Sequence, residues 1–351
     1  MPVQQPRRRN CIIVLGMHRS GTSAMTGVLS HLGAYPGSAL LTAHESYNPK
    51  GFWEHAGIVK VHDALLTKLG SSWDDERRLP DLWWESDAAA HARQELRDIL
   101  CHDFGEAHLW VVKDPRICRL LPVWLHVLRE FEDCTPHFLL ILRHPVEVAQ
   151  SLSNRDRIPQ HSACVLWLEH MIQAEHWSRG HPRMAVTYAQ LLEDWQSTVA
   201  RIKAELQLPL LTDDPARIEN VRRFLEPALR HYQVTTALLS QSPWMRLAVD
   251  AFEALSQQAP DRWATMLAPM DAKLSHTMAE IAPWAEQALL LRQRLLRLEN
   301  RHRQLERGHT ALQQEIARIR SSWAWKIATP IRVAEHQLRK LWTYLRHDQH
   351  G

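Results

Sequence analysis

The chain has 351 residues, 45% of them hydrophobic and 23% charged, with Gly 12, Pro 19 and Cys 5. That composition excludes wholesale disorder, a collagen-like repeat and a disulfide scaffold, and the length suits about two domains of roughly 150 residues. The net charge of +3 hides an uneven spread, because the segment 286–346 carries +8 and leaves −5 for everything else.

The chain opens on a basic stretch, Arg7-Arg8-Arg9, so residues 1–9 read as a disordered start. The apolar run Cys11–Leu15 that follows is too short for a signal peptide, and no run approaches the roughly 18 apolar residues of a membrane span. A cytoplasmic location is expected. The cysteines (Cys11, Cys101, Cys118, Cys134 and Cys164) are scattered and odd in number, as reduced thiols would be. Twenty-two histidines show no metal-ligand spacing, so no metal is expected.

Four short apolar runs read as buried parallel strands: Cys11–Leu15, Leu109–Val112, Phe138–Leu142 and Met184–Thr187. Between them lie Leu-, Ala-, Glu- and Arg-rich stretches at helical spacing, such as Ala88–Leu100 and Val165–Trp177. Strands alternating with helices imply an α/β fold, a parallel sheet flanked by helices. Near Pro227 the alternation stops and the remainder reads as all-helical.

The first strand runs into Gly16-Met17-His18-Arg19-Ser20-Gly21-Thr22-Ser23 and then a helix. Such a turn aims consecutive backbone N–H groups and a helix N-terminus at one point, which suits a phosphate. The spacing is that of the nucleotide-hydrolase loop, but Thr22 stands where that loop needs lysine, and no strand ends in a metal-binding acid. An ordinary ATPase or GTPase is therefore disfavoured. The third strand ends at Arg143-His144-Pro145, and Ser151 follows two helical turns along. A proline opens that helix well, and the Arg143 fork with the Ser151 hydroxyl can share an anion. Gly16, Lys113, Arg143 and Tyr188 each fall just past a strand's C-terminal end, where open α/β sheets bind ligands.

These motifs together resemble the bacterial type of the sulfotransferase family that uses 3′-phosphoadenosine 5′-phosphosulfate (PAPS). The resemblance covers residues 10 to about 235 and implies the P-loop-like fold of that family. It implies that Arg19-Ser20-Gly21-Thr22-Ser23 is the 5′-phosphosulfate loop, with Arg19 in place of a common lysine, and that Gly16 and His18 belong to the same cradle. Arg143 and Ser151 match the 3′-phosphate motif. Lys113-Asp114-Pro115-Arg116 resembles a recurrent bacterial block, and Tyr188 resembles the tyrosine beside the adenine, although Ala189 and Gln190 depart from the pattern. The implied reaction passes a sulfuryl group from PAPS to a hydroxyl or amine, releases adenosine 3′,5′-bisphosphate and needs no metal. Arg19 would neutralise charge on the departing oxygen. An acid must take the acceptor's proton, and Glu45, Glu54 and Asp114 all remain open for that role.

Fifteen tryptophans, with Trp73, Trp83 and Trp84 in one polar insertion, suit a carbohydrate or lipid-linked glycan acceptor or, more plainly, packing under a long loop. No nucleic-acid partner is expected. Two other readings stand beside the enzyme: an interaction protein on a degenerate nucleotide fold, and a nucleotide kinase.

From Ile281 to Trp323 apolar residues recur at alternating steps of three and four, the spacing of a coiled-coil seam, with His302 and His309 on it. The organisation expected is thus a sulfotransferase domain at 10–235, a helical connector at 236–280, a coiled coil at 281–320 that forms a homodimer, and a basic Trp-rich tail at 321–351. The tail's Ser321-Ser322-Trp323 to Arg332 stretch resembles a segment of some bacterial glycan-modifying enzymes. Tryptophan with basic residues suits peripheral contact with the inner membrane face, and Pro330 should divide the tail into two short helices.

Overall fold

The computed structural model describes residues 8–42, 51–225, 242–257 and 259–347. In chain order the elements are β1 (Arg9–Leu15), α1 (Thr22–His31), α2 (Ala56–Lys68), a 3-10 turn (Trp83–Glu85), α3 (Asp87–Phe104), β2 (Leu109–Lys113), α4 (Ile117–Arg129) and β3 (Cys134–Leu142). They continue with α5 (Pro145–Asp156), α6 (Gln160–Ser178), β4 (Arg183–Thr187), α7 (Tyr188–Glu193), α8 (Trp195–Glu205), α9 (Pro215–Phe224), α10 (Pro243–Ser256), α11 (Pro260–Ser321) and α12 (Trp323–His347).

The four strands form one parallel sheet in the order β2-β1-β3-β4. The middle of the sheet, Cys11–Leu15 with Leu109–Val112 and Phe138–Leu142, is a continuous apolar run because helices cover both faces. Cys11, Ile13 and Leu15 face a layer that includes α3, α4 and α6, while Ile12 and Val14 face α1, α8 and α9. The period-two division follows from the pleat. The chain leaves β1 for one side of the sheet and later returns to its other side with β3. A crevice therefore opens between the ends of β1 and β3, the place where such sheets take ligands.

Three expectations need correction. Residue 9 is not disordered: Arg9 opens β1 and forks onto Asp133 through Nε (2.7 Å) and Nη2 (3.0 Å); residues 1–7 lie outside the described part. The segment 236–280 is more than a connector. Met245, Ala248, Leu255, Trp263, Leu267 and Leu274 enter the same core as α4 and α6, and Arg183 stacks on Trp263 while donating to the Pro260 carbonyl at 2.9 Å. Finally, Pro330 lies inside α12 and does not divide it. A proline in a helix interior removes one donor and crowds the carbonyl four residues back, a cost of about 3 kcal/mol. That penalty is confined to one turn, and the bonds on either side carry the helix through.

By its contacts the chain divides into residues Met1–Ala282 and Pro283–Gly351. No helix among the described residues is long and apolar enough to cross a membrane.

Candidate functional site

The loop between β1 and α1 is shaped by two glycines and one strained arginine. A Cβ on Gly16 would stand 2.7 Å from the Ile141 carbonyl oxygen, so only glycine lets β1 and β3 lie this close at their ends. Gly21 has φ +88°, and a Cβ there would come within 2.2 Å of the Tyr188 ring, which lies against the start of α1. Arg19 holds φ +70°, an uncommon conformation for a side-chain-bearing residue. The Ser20 amide closes the turn on the Met17 carbonyl at 3.1 Å, and the Gly16 amide donates to Cys118 Sγ at 3.1 Å. Burial pushes that Cys118 thiol up to about 12, so it stays protonated.

Helix α1 begins with no side-chain cap and no acid in its first turn. Its amide donors and positive end therefore face the crevice, as anion sites do. Ser20 is fully buried, and its Oγ has no hydrogen-bond partner among the described residues.

Arg143, Ser151 and Arg19 meet at the other wall. Arg143 is 8% exposed; its Nε donates to Glu147 Oε2 at 2.8 Å, and its Nη1 donates to the Arg19 carbonyl at 3.1 Å. Its Nη2 is buried with no acceptor among the described residues. Ser151 Oγ takes the Arg19 Nε at 2.9 Å, and the Arg143 guanidinium lies 5.2 Å from the centre of the Tyr188 ring. The loop after β1, the Arg143–Ser151 segment and Tyr188, far apart in sequence, thus share one corner.

On the opposite side Lys113, the last residue of β2, pairs with Glu54 Oε1 and donates to Ser23 Oγ at 2.9 Å. Ser23 Oγ in turn donates to the Phe52 carbonyl at 3.0 Å. Lys113 and Glu54 are both buried, and Glu54 Oε2 has no partner among the described residues. Burial raises the Glu54 carboxyl against the pull of Lys113, and burial lowers the Lys113 ammonium against the pull of Glu54. Both shifts narrow the gap between the two groups. The segment bearing Glu54 is pinned: the Leu41 amide donates to the Glu54 carbonyl at 2.8 Å, and His55 caps α2 while contacting Asp103 at 3.1 Å.

Asp114 plays a different part. It is fully buried, with Oδ2 2.8 Å from His62 Nδ1 and Oδ1 accepting from the Arg116 amide (3.0 Å) and guanidinium (2.9 Å). Trp124 Nε1 donates to His62 Nε2 at 2.9 Å, so the His62 proton sits on Nδ1 and points at Asp114. Burial alone would raise the Asp114 carboxyl, but Arg116 and the His62 hydrogen bond outweigh it and hold the group well below the carboxylate range. Both oxygens are thus committed to the scaffold. Glu45 lies outside the described residues.

His18 sits beside Trp73, with ring centres 4.5 Å apart, and burial lowers its imidazole well below its usual value. It enters the loop as a neutral group. Trp83 is buried and Trp84 packs edge-on to Trp177 at 5.0 Å, so those two indoles serve the fold. The sequence reading missed the Asp114–His62–Trp124 chain. Its members stand up to 62 residues apart, and no local pattern links them.

The family model described as "Sulfotransferase family" matches residues 11–213. No curated protein matches the chain. Among solved structures, the sulfotransferase domain from the Synechococcus PCC 7002 olefin synthase is 16% identical, with 71% of this chain and 96% of that one covered and a TM-score of 0.40. The sulfotransferase domain from the curacin biosynthetic pathway is also 16% identical, with 75% and 99% covered and a TM-score of 0.35.

Proposed function

The chain belongs to the sulfotransferase family, and from that premise we propose that it passes a sulfuryl group from PAPS to an acceptor hydroxyl, with Glu54 as the base. The observation that carries the donor assignment is Arg143: a buried guanidinium whose Nη2 lacks an acceptor, at the crevice between β1 and β3, beside Ser151 and Tyr188. A buried, unpaired guanidinium nitrogen is costly unless a ligand oxygen completes it. The 3′-phosphate of PAPS supplies such oxygens, and the uncapped start of α1 suits the 5′-phosphate.

Sulfuryl transfer asks for alignment and for stabilisation of charge, as phosphoryl transfer does. The acceptor oxygen forms a bond to sulfur as the bond from sulfur to the bridging oxygen breaks. The acceptor's proton goes to Glu54, and the negative charge gathering on the bridging oxygen is met by Arg19 and the loop amides. Lys113 keeps Glu54 ionised and aimed, and Ser23 fixes Lys113. Glu54 is preferred to Asp114 because Glu54 keeps an unengaged oxygen while both Asp114 oxygens are taken. Half-buried Trp73, lying against the phosphate loop, supports a carbohydrate acceptor through a ring face. The joint presence of Arg19, Arg143 and Ser151 counts against a purely structural protein on a worn nucleotide fold.

Incubation with PAPS carrying a radiolabelled sulfuryl group and a cell-envelope glycan extract tests the reading. Label should pass to the glycan with the unaltered protein and not with Glu54→Gln. Equal transfer by both would remove Glu54 from the mechanism, and no transfer to any hydroxylated acceptor would remove the activity.

In α12, Arg332 stacks on Trp325 at 3.5 Å, and Ile331, Val333 and Leu338 are exposed. Together with the local positive charge, these support contact with anionic lipid at the cytoplasmic face. Cosedimentation with anionic vesicles should fall with salt and vanish on truncation after Arg320.

A further inference from the structure

The part of α11 within 283–321 exposes a row of large apolar side chains. Counted in heptads, Trp284, Leu291, Leu298, Leu305, Leu312 and Ile319 occupy every d position, and their exposures run from 45% to 78% together with the flanking Leu295, Ile316 and Trp323. A surface of this kind in water calls for a partner.

The flanking charges say which partner. In a parallel, in-register pair each g residue meets the e residue five positions further along the other helix. Applied to this sequence, Arg294 meets Glu299, Arg301 meets Glu306, and Glu315 meets Arg320 of the second copy. The remaining positions, Gln287 with Arg292 and Gly308 with Gln313, are neutral on one side, so no like charges face each other. An antiparallel pair at full overlap sets Arg301 against Arg301 and Glu299 against Glu299 of the copy, and these two repulsions cancel the twofold-related pair of Arg292–Glu306 contacts, whereas the parallel pair makes each of its three attractions twice. A one-heptad slip of the parallel pair keeps Arg294 with Glu306 on one flank and Arg301 with Glu299 on the other, but it sets Arg294 against Arg292 and loses both Glu315 contacts.

The a positions agree. His302 and His309 are the two polar residues on the seam, and parallel register stacks each against its own copy. Antiparallel packing would set each imidazole among the d-position leucines instead. A polar a residue matched to itself fixes register at a cost in stability. We propose that residues 284–319 form a parallel, in-register, two-stranded coiled coil with a second copy of this chain. The proposal does not depend on the sulfotransferase chemistry.

Full-length protein tests this by sedimentation equilibrium and oxidative cross-linking. The unaltered chain should be a dimer at micromolar concentration. Glu299→Arg with Glu306→Arg should weaken it at least tenfold, as should Arg294→Glu with Arg301→Glu, and an equal mixture of the two variants should recover dimer. Leu298→Cys should cross-link on oxidation while the unaltered chain, with its own cysteines, does not; antiparallel packing would leave position 298 unlinked. His302→Leu with His309→Leu should tighten the dimer. A monomer at tens of micromolar, unchanged affinity in the charge variants, or no link through position 298 would each overturn the proposal.

Discussion

Arg19 Nε donates to Ser151 Oγ at 2.9 Å, joining the loop after β1 to the helix after β3 across 132 residues of chain. The sequence suggests that Arg143 and Ser151 share an anion, since both stand in one motif. In the structure Arg143 supports the Arg19 carbonyl, and Arg19 reaches Ser151. The loop after β1 and the Arg143–Ser151 segment are therefore mechanically one unit, and a change in either should be felt in both.

Replacing Arg143 with alanine removes the hydrogen bond to the Arg19 carbonyl and the buried donor Nη2. Donor affinity should fall by about 2–3 kcal/mol, the usual worth of a charged hydrogen-bond set, which is roughly 30- to 150-fold. Titration calorimetry checks this. The variant should also bind PAPS and an analogue lacking the 3′-phosphate equally well; a retained preference would place that phosphate elsewhere. Ser151→Ala should cost about 1 kcal/mol, as a neutral hydroxyl does.

Glu54→Gln keeps the shape of the side chain and removes the base. Turnover should drop by about 10²–10⁴-fold with donor affinity nearly unchanged. The pH profile carries a second signature. With Glu54 as the proposed base, the reaction needs Glu54 ionised and Lys113 charged; burial raises the first group and lowers the second. Activity should therefore fall on the acid side at a pH above the ordinary glutamate value of about 4.3, and on the alkaline side below the ordinary lysine value of about 10.4. In Glu54→Gln the acid limb should disappear from the residual activity.

How much of this was legible beforehand follows from distance along the chain. The loop at 16–23 and the Arg143–Ser151 spacing are local, because a strand end and the first turns of a helix fix them; both were readable and both line the crevice. Strand β3 was legible only from Phe138, since its first residues, Cys134 to His137, interrupt the apolar run with polar and proline positions. Lys113 and Glu54 lie 59 residues apart, and nothing in either segment names the other as its partner. The sheet makes the pairing by ending β2 beside β1. The acid Asp114 next to Lys113 is also a candidate base in the sequence, and only the three hydrogen bonds that engage both its oxygens set it apart from Glu54.

Asp114→Ala should unfold the protein more easily by about 3–5 kcal/mol, because Arg116 loses a buried counter-charge and His62 its acceptor. The folded carboxyl lies below its unfolded value, so its contribution is full above the unfolded pKa of about 3.9 and is lost as the pH falls toward the folded one. Urea denaturation at a series of pH values should show the gap between variant and parent closing below about pH 4. A constant gap would mean that the loss is one of packing.

Gly21→Ala combines a positive φ with a Cβ 2.2 Å from the Tyr188 ring. The backbone strain alone costs about 1–3 kcal/mol, and the ring must also move. Donor binding should suffer with stability, and Tyr188→Ala in the same chain should recover part of the stability but not of the binding. Thermal melts with and without adenosine 3′,5′-bisphosphate separate the two effects.

The central claim is that the crevice between β1 and β3 holds a nucleotide bearing both a 5′- and a 3′-phosphate. Calorimetric titration of the full-length protein with adenosine 3′,5′-bisphosphate tests it most directly. Saturable binding at one site per chain is predicted, greatly weakened in Arg143→Ala and nearly intact in Glu54→Gln. No binding at millimolar ligand, or binding that Arg143→Ala leaves unchanged, would contradict the account.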